Sequence, residues 1–101
     1  MTPVEIEDLR QFFGAYFHQD WCLDANEPDQ IVQQYLSEGR SLKELTRLAL
    51  LIEKYAELMD DDSALERALF SDLWCYYMPS ADGLAAHAWL RHVASLLKAT
   101  K

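Results

Sequence analysis

Residues 41–62 read SLKELTRLALLIEKYAELMDDD, and the period of their apolar positions decides the fold class. Leu45, Leu48, Ile52, Tyr55, Leu58 and Met59 recur at three- and four-residue steps, with Leu51 as a second ridge, which is the pattern of an amphipathic helix. Ser41 is placed as N-cap, with Glu44 three residues on to close a capping box. The helix is predicted over about 42–59, running through the centre of a bundle and stopped by Asp60-Asp61-Asp62.

Similar punctuation lies on both sides of this segment. Thr2-Pro3-Val4-Glu5 supplies an N-cap, a proline at the first helical position and a capping-box glutamate for a helix over 3–17, whose apolar stripe is Ile6, Leu9, Phe13 and Phe17. Gly14, inside it, implies close approach by another element or simple tolerance. A second helix starts near Pro28 and ends at Gly39, with Ile31, Val32, Tyr35 and Leu36 on one face. Ser63-Ala64-Leu65-Glu66 reads as a third capping box, opening a short helix to about Leu73. Residues 74–83 read as an aromatic loop, and a last helix spans about 84–98, with Trp89, Leu90, Val93, Leu96 and Leu97 inward. No stretch shows sustained period-two alternation, so the expectation is an all-α, compact bundle of about five helices forming a single domain. At 101 residues, half of them apolar, the chain can bury roughly 65% of its unfolded surface without staples.

Charge narrows the function classes. Seventeen acids face nine bases, a formal net charge of −8, which repels nucleic-acid backbones and anionic membranes and favours basic protein partners. The longest wholly apolar run, Leu48 to Ile52, is far short of a membrane span, so a cytoplasmic protein is expected. Cys22 and Cys75, each following a tryptophan and 53 positions apart, read as free thiols. The charge is also segregated. Residues 1–39 carry eight acids against Arg10, net −7, and residues 57–82 carry seven against Arg67, net −6. Residues 40–56 and 83–101 are net +2 and +3. If the first acidic loop and the Asp60–Asp62 triplet share a side of the bundle, they form a negative surface able to steer a basic protein.

Catalytic and metal chemistry find little support. His18 and Asp20, within Tyr16-Phe17-His18-Gln19-Asp20-Trp21, could pair for proton transfer in a small hydrolase, but no nucleophile or substrate polariser adjoins them. The structural reading has Tyr16, Phe17 and Trp21 sealing the end of the first helix, His18 interacting with its last carbonyls, and Asp20 bonding nearby backbone N–H groups. The histidines, 18, 87 and 92, lack metal-ligand spacing, and the acidic triplet lacks the glycine and distal glutamate of a calcium loop. No cofactor, metal or catalytic residue is expected. A generic acidic adaptor or homo-oligomeric scaffold remains the bland alternative.

The order of signals carries a resemblance. Phe13-Gly14-Ala15-Tyr16-Phe17-His18-Gln19-Asp20-Trp21, a proline-led helix with Val32 and Tyr35-Leu36, a leucine-rich central helix, then Tyr76-Tyr77, Pro79 and Asp82-Gly83 ahead of a Trp89-Leu90 helix, is similar to the contact-dependent growth inhibition (CDI) immunity protein family, CdiI type. The likeness covers nearly the whole chain, and the G-x-Y-x-H-Q-D-W string is its most specific part. The family often has an acid where Cys22 stands, and a glycine before the paired tyrosines where Trp74 or Cys75 stands. The resemblance implies a cytoplasmic, non-enzymatic protein, monomeric and 1:1 with its target, that neutralises the C-terminal toxin domain of a cognate surface effector. Such toxins are frequently nucleases, hence basic. On that basis Asp20, Asp24, Glu27 and Asp29, with Asp60, Asp61 and Asp62, are the expected electrostatic contacts, and Trp21, Tyr76 or Tyr77 the candidate anchors.

Overall fold

Thr2 and Glu5 form the reciprocal pair that starts the chain's first helix: Thr2 Oγ1 accepts the Glu5 N–H at 3.2 Å, and the Glu5 carboxylate accepts the Thr2 N–H at 2.9 Å. This helix, α1 (Pro3–Tyr16), is followed by α2 (Trp21–Asp24), α3 (Pro28–Leu36), α4 (Leu42–Ala56), α5 (Asp62–Leu73), a 3₁₀ turn (Pro79–Asp82) and α6 (Ala86–Lys98). The computed structural model describes residues 1–99, except for the side chain of Asp24. Among them the architecture is all-α, with six helices rather than about five, the extra one being the single turn α2.

The core is built on α4 and α6. Leu45, Leu48, Ala49, Leu51, Ile52, Tyr55 and Ala56 of α4 face Ala86, Trp89, Leu90, Val93, Ala94 and Leu97 of α6, the most extensive helix pairing in the molecule. α6 runs back along α4: His87, at its start, meets the Met59 carbonyl, and Lys98, at its end, pairs with Glu53 at 2.7 Å. α4 stops at Ala56, three residues earlier than the pattern predicted. There the Glu57 and Leu58 N–H groups turn to the Lys54 and Tyr55 carbonyls, tightening the last turn, and Leu58 is left about half exposed.

α5 begins at Asp62, not after a Ser63 cap. It ends on Trp74, whose φ of 60° lies in the left-handed region that costs a bulky L-residue about 1 kcal/mol and suits glycine. Trp74 also explains Gly14. A Cβ at that position would stand 3.3 Å from Trp74 Cε3 and 3.6 Å from the Leu73 carbonyl oxygen, so the glycine lets the end of α5 close onto α1.

Residues 74–79 form the expected loop, running from the left-handed Trp74 to the Pro79 that opens the 3₁₀ turn, as a strap whose side chains alternate in burial. Cys75, Tyr77 and Pro79 point inward, whereas Trp74, Tyr76 and Met78 point out. The strap is fastened by the Cys75 N–H to the Leu69 carbonyl at 3.0 Å and by the Tyr76 N–H to the Phe17 carbonyl at 2.8 Å. Burial pushes the inward Cys75 thiol up to about 12, so it packs as a small apolar side chain.

Candidate partner-binding surface

Tyr16 closes α1, and Phe17 beside it is fully buried among Phe12, Phe13, Trp21, Tyr77 and Trp89. Tyr16 stands edge-on to Tyr35, its hydroxyl donating to the Glu38 carboxylate, and Trp21 stands edge-on to Tyr77. At the turn, roles are reversed relative to expectation. Asp20 makes no side-chain capping bond to the backbone; instead its own N–H donates to His18 Nδ1 at 3.1 Å, and the His18 carbonyl accepts the Trp21 N–H that starts α2. The bond between His18 and Asp20 thus runs from the Asp20 backbone to the His18 ring.

The acids fall into two groups, each of which sends one carboxylate to α6, Asp29 to His92 and Asp62 to Ala86 and His87. In the first, Asp20 and Glu27 are exposed, Asp24 ends α2, and Asp29 holds His92 Nε2 through both carboxylate oxygens at 2.9 and 3.0 Å. Glu27 is the N-cap residue of α3, where Gln30 Oε1 accepts the Asn26 and Glu27 N–H groups at 2.7 and 3.3 Å. In the second group Asp60 and Asp61 are exposed, but Asp62 is committed internally. Its carboxylate accepts the Ala86 N–H at 2.8 Å, the His87 N–H at 2.9 Å and His87 Nδ1 at 2.7 Å. The N-cap residue of α6 is Ala85, which has no acceptor, so Asp62 caps that helix from 24 residues away. His87 and His92 are five positions apart, about 140° around the helix, so the two acidic groups border the exposed stripe of α6 that carries Arg91 and Lys98.

The Asp62–His87 pair has a definite pH signature. Both His87 ring nitrogens face oxygens, Nε2 lying 2.6 Å from the Met59 carbonyl, so only the imidazolium can donate to both. The Met59 carbonyl, then Asp62, raise the His87 pKa above its ordinary 6.5; the His87 and Ala86 N–H groups lower that of Asp62 below 3.8. His87 therefore contributes stability in full below 6.5 and loses it as pH rises through the folded value. Asp62 contributes above 3.8 and loses it as pH falls through its own lower folded value. The Asp62 side chain is 42% exposed, so solvent screens the charge and the backbone cap dominates. Asp62→Ala is expected to cost about 2 kcal/mol, with the gap from the parent widest between these two values and narrowing on the alkaline side. Urea titrations from the acid side to beyond the His87 value check it; a gap that widens as pH rises above 6.5 contradicts the assignment.

Two features, one concave and one convex, adjoin the strap. The first is a cleft of about 440 Å³ between the start of α3, the 79–84 turn and α6. Glu27, Asp29 and Asp82 stand on its rim, and Pro28, Tyr77, Leu84 and Trp89 give it an apolar lining. Tyr77, expected as an exposed anchor, is only 4% exposed; its hydroxyl donates to Asp82 at 2.8 Å, and burial followed by Asp82 pushes its pKa up. Trp89 Nε1 is buried without a partner among the described residues.

The second feature is a ridge of Phe70, Trp74, Tyr76 and Met78, each about half exposed, with Phe70 and Tyr76 edge-on at 5.0 Å. Of the expected anchors only Tyr76 belongs to it. Trp74, Met78 and Phe70 were missed, although a W-x-Y-x-M spacing is the signal an extended segment would give. Glu66 pins the turn after the strap to α5, accepting the Ser80 N–H and hydroxyl at 2.8 Å each. Aromatic and methionine side chains held out in water on a fixed backbone are the usual makings of a protein contact.

Among the described residues no three His, Cys, Asp or Glu side chains converge as a metal site would require, and no helix is long and apolar enough to cross a membrane. A family model described as CdiI immunity protein matches residues 5–97. No curated protein and no solved structure matches the chain.

Proposed function

Because the chain belongs to the CdiI immunity protein family, we propose that it binds the C-terminal toxin domain of a cognate CDI effector as a cytoplasmic monomer, one to one. The toxin is a basic nuclease, and the protein blocks it by contact, without catalysis and without touching nucleic acid. The observation that carries this reading is the segregation of charge, net −7 over residues 1–39 and −6 over 57–82: Glu5, Asp8 and Glu38 are spent on Lys54, Arg47 and Arg40, but Asp20, Glu27, Asp60 and Asp61 stand exposed. A nuclease domain must be positive around its substrate groove, and opposite fields raise the rate of encounter. Asp20, Asp24, Glu27, Asp29, Asp60 and Asp61 supply that field, while Asp62 serves the fold. The ridge of Phe70, Trp74, Tyr76 and Met78 supplies the apolar contact.

The test is binding of the purified protein to the C-terminal domain encoded beside its gene, over a salt series. The association rate is expected to fall at least about tenfold between roughly 0.05 and 0.5 M salt, with a smaller change in dissociation. Absence of binding, or a salt-independent association rate, would sink the proposal. The exposed ridge also suits self-association, so light scattering belongs in the same series: a dimer mass that persists on dilution would favour a scaffold over an inhibitor.

A further inference from the structure

The cleft beside the strap has a chemistry of its own. Resting on the immunity reading above, we infer that it is the receptor for one arginine side chain of the toxin domain. Its volume, about 440 Å³, lies toward the low end of the roughly 300–1,000 Å³ that ligand clefts span, which suits a long side chain with its adjoining backbone.

Three observations select arginine. The lining is apolar, from Leu84 and Pro28 over the nearly buried Tyr77 and Trp89, and a guanidinium, planar and weakly hydrated, lies against such surfaces where an ammonium keeps its water. The rim is acidic from two directions. Glu27 and Asp29 come from the start of α3 and Asp82 from the 3₁₀ turn, so a fork of N–H donors meets carboxylates on both sides. The positive end of α3 would oppose a cation there, but the same Glu27 and Asp29 offset it. Finally, the carboxylates are placed by the fold: Asp82 by the Tyr77 hydroxyl at 2.8 Å and Asp29 by His92 at 2.9 Å. Because His92 Nε2 already meets both Asp29 oxygens, an incoming guanidinium shares or replaces that contact.

Trp89 gives the site a reporter. Its indole N–H is buried, unpaired among the described residues and part of the lining, whereas Trp21 and Trp74 lie outside the cleft. In ¹⁵N-labelled protein, Nα-acetyl-arginine methylamide is expected to shift the Trp89 indole resonance and the amides of residues 28–29 and 82–84 saturably in the millimolar range. The neutral citrulline analogue should leave them in place, and the lysine analogue should bind more weakly. Glu27→Gln with Asp29→Asn should abolish the shifts. So should Ala88→Phe, which fills the cleft from an exposed helix position without changing charge. Equal response to citrulline, or shifts that follow the protein's own concentration without probe, would overturn the inference.

A second arm uses the toxin domain. The Glu27→Gln, Asp29→Asn double variant and Ala88→Phe are each expected to weaken its binding about tenfold or more. Parent-like affinity in both would overturn the arginine receptor while leaving the immunity reading intact; failure of the unaltered protein to bind would remove the immunity reading itself.

Discussion

Shortening Phe17 to alanine is expected to cost about 3–5 kcal/mol of folding stability. Phe17 is fully buried, and five aromatic rings surround it, with centroids at 5.3 Å for Trp89, 6.1 Å for Phe12 and Phe13, 6.2 Å for Trp21 and 6.3 Å for Tyr77. Large neighbours on every side cannot all move inward, so most of the cavity persists. A domain of this size holds about 5–15 kcal/mol in total, and a loss of this order lowers Tm by roughly 15–30 °C. The Phe17 carbonyl also holds the strap through the Tyr76 N–H, so amide exchange at Tyr76 should quicken along with global unfolding. Phe17→Leu, which keeps most of the volume, should cost under about 1.5 kcal/mol. Urea denaturation of both variants decides the matter, and an alanine loss below about 1 kcal/mol would show that the cluster is not the core it looks to be.

What the sequence made legible was whatever is settled within a few residues. The Thr2–Glu5 and Ser41–Glu44 bonds form in place, and the 3.6-residue stripe of α4 meets that of α6. Gly83 closes the 3₁₀ turn with φ of 73°, whereas α3 ends at Leu36 on a Ser37 cap, three residues before the Gly39 at which it was expected to stop. What it concealed depends on distance or on shape. Ser63-x-x-Glu66 satisfies the local rule for a capping box, yet Asp62 already stands inside α5 and spends its carboxylate on Ala86 and His87 of another helix. No local pattern encodes a cap 24 residues away, so an acid that looked free for a partner was already occupied. Tyr76 and Tyr77 are adjacent and chemically alike, and only the extended backbone sends one outward and the other in. Alternation in the strap was invisible to hydropathy because its outward side chains, Trp74, Tyr76 and Met78, are as apolar as its inward ones. The strap also starts on a conformation that composition does not announce: Trp74 occupies the left-handed position that a glycine would take without strain.

That strained tryptophan leads to the second large effect. Trp74→Gly combined with Tyr76→Ala is expected to weaken toxin binding by about 10²–10³-fold, or roughly 3–4 kcal/mol, while Tm moves by only a few degrees. The two halves of this expectation have separate causes. Glycine at 74 removes about 1 kcal/mol of left-handed strain, which offsets part of the loss of an indole that is 53% exposed but packs over Gly14 and beneath the Arg10 guanidinium at 5.1 Å. Tyr76 is 43% exposed and touches Phe70 edge-on, so its removal leaves no buried cavity. A bulky side chain held half in water at a position that favours glycine is the kind of group that contact with another molecule would cover. The kinetics separate this contact from the acidic one. Loss of the ridge should appear in dissociation, because apolar contacts form after encounter, whereas neutralising Asp20, Glu27 and Asp29 should appear in association. Surface plasmon resonance on both sets of variants reads the two rates directly. If the ridge variant binds within about threefold of the parent while the acidic variants lose association rate, the toxin approaches over α6 and α3 and leaves the strap uncovered.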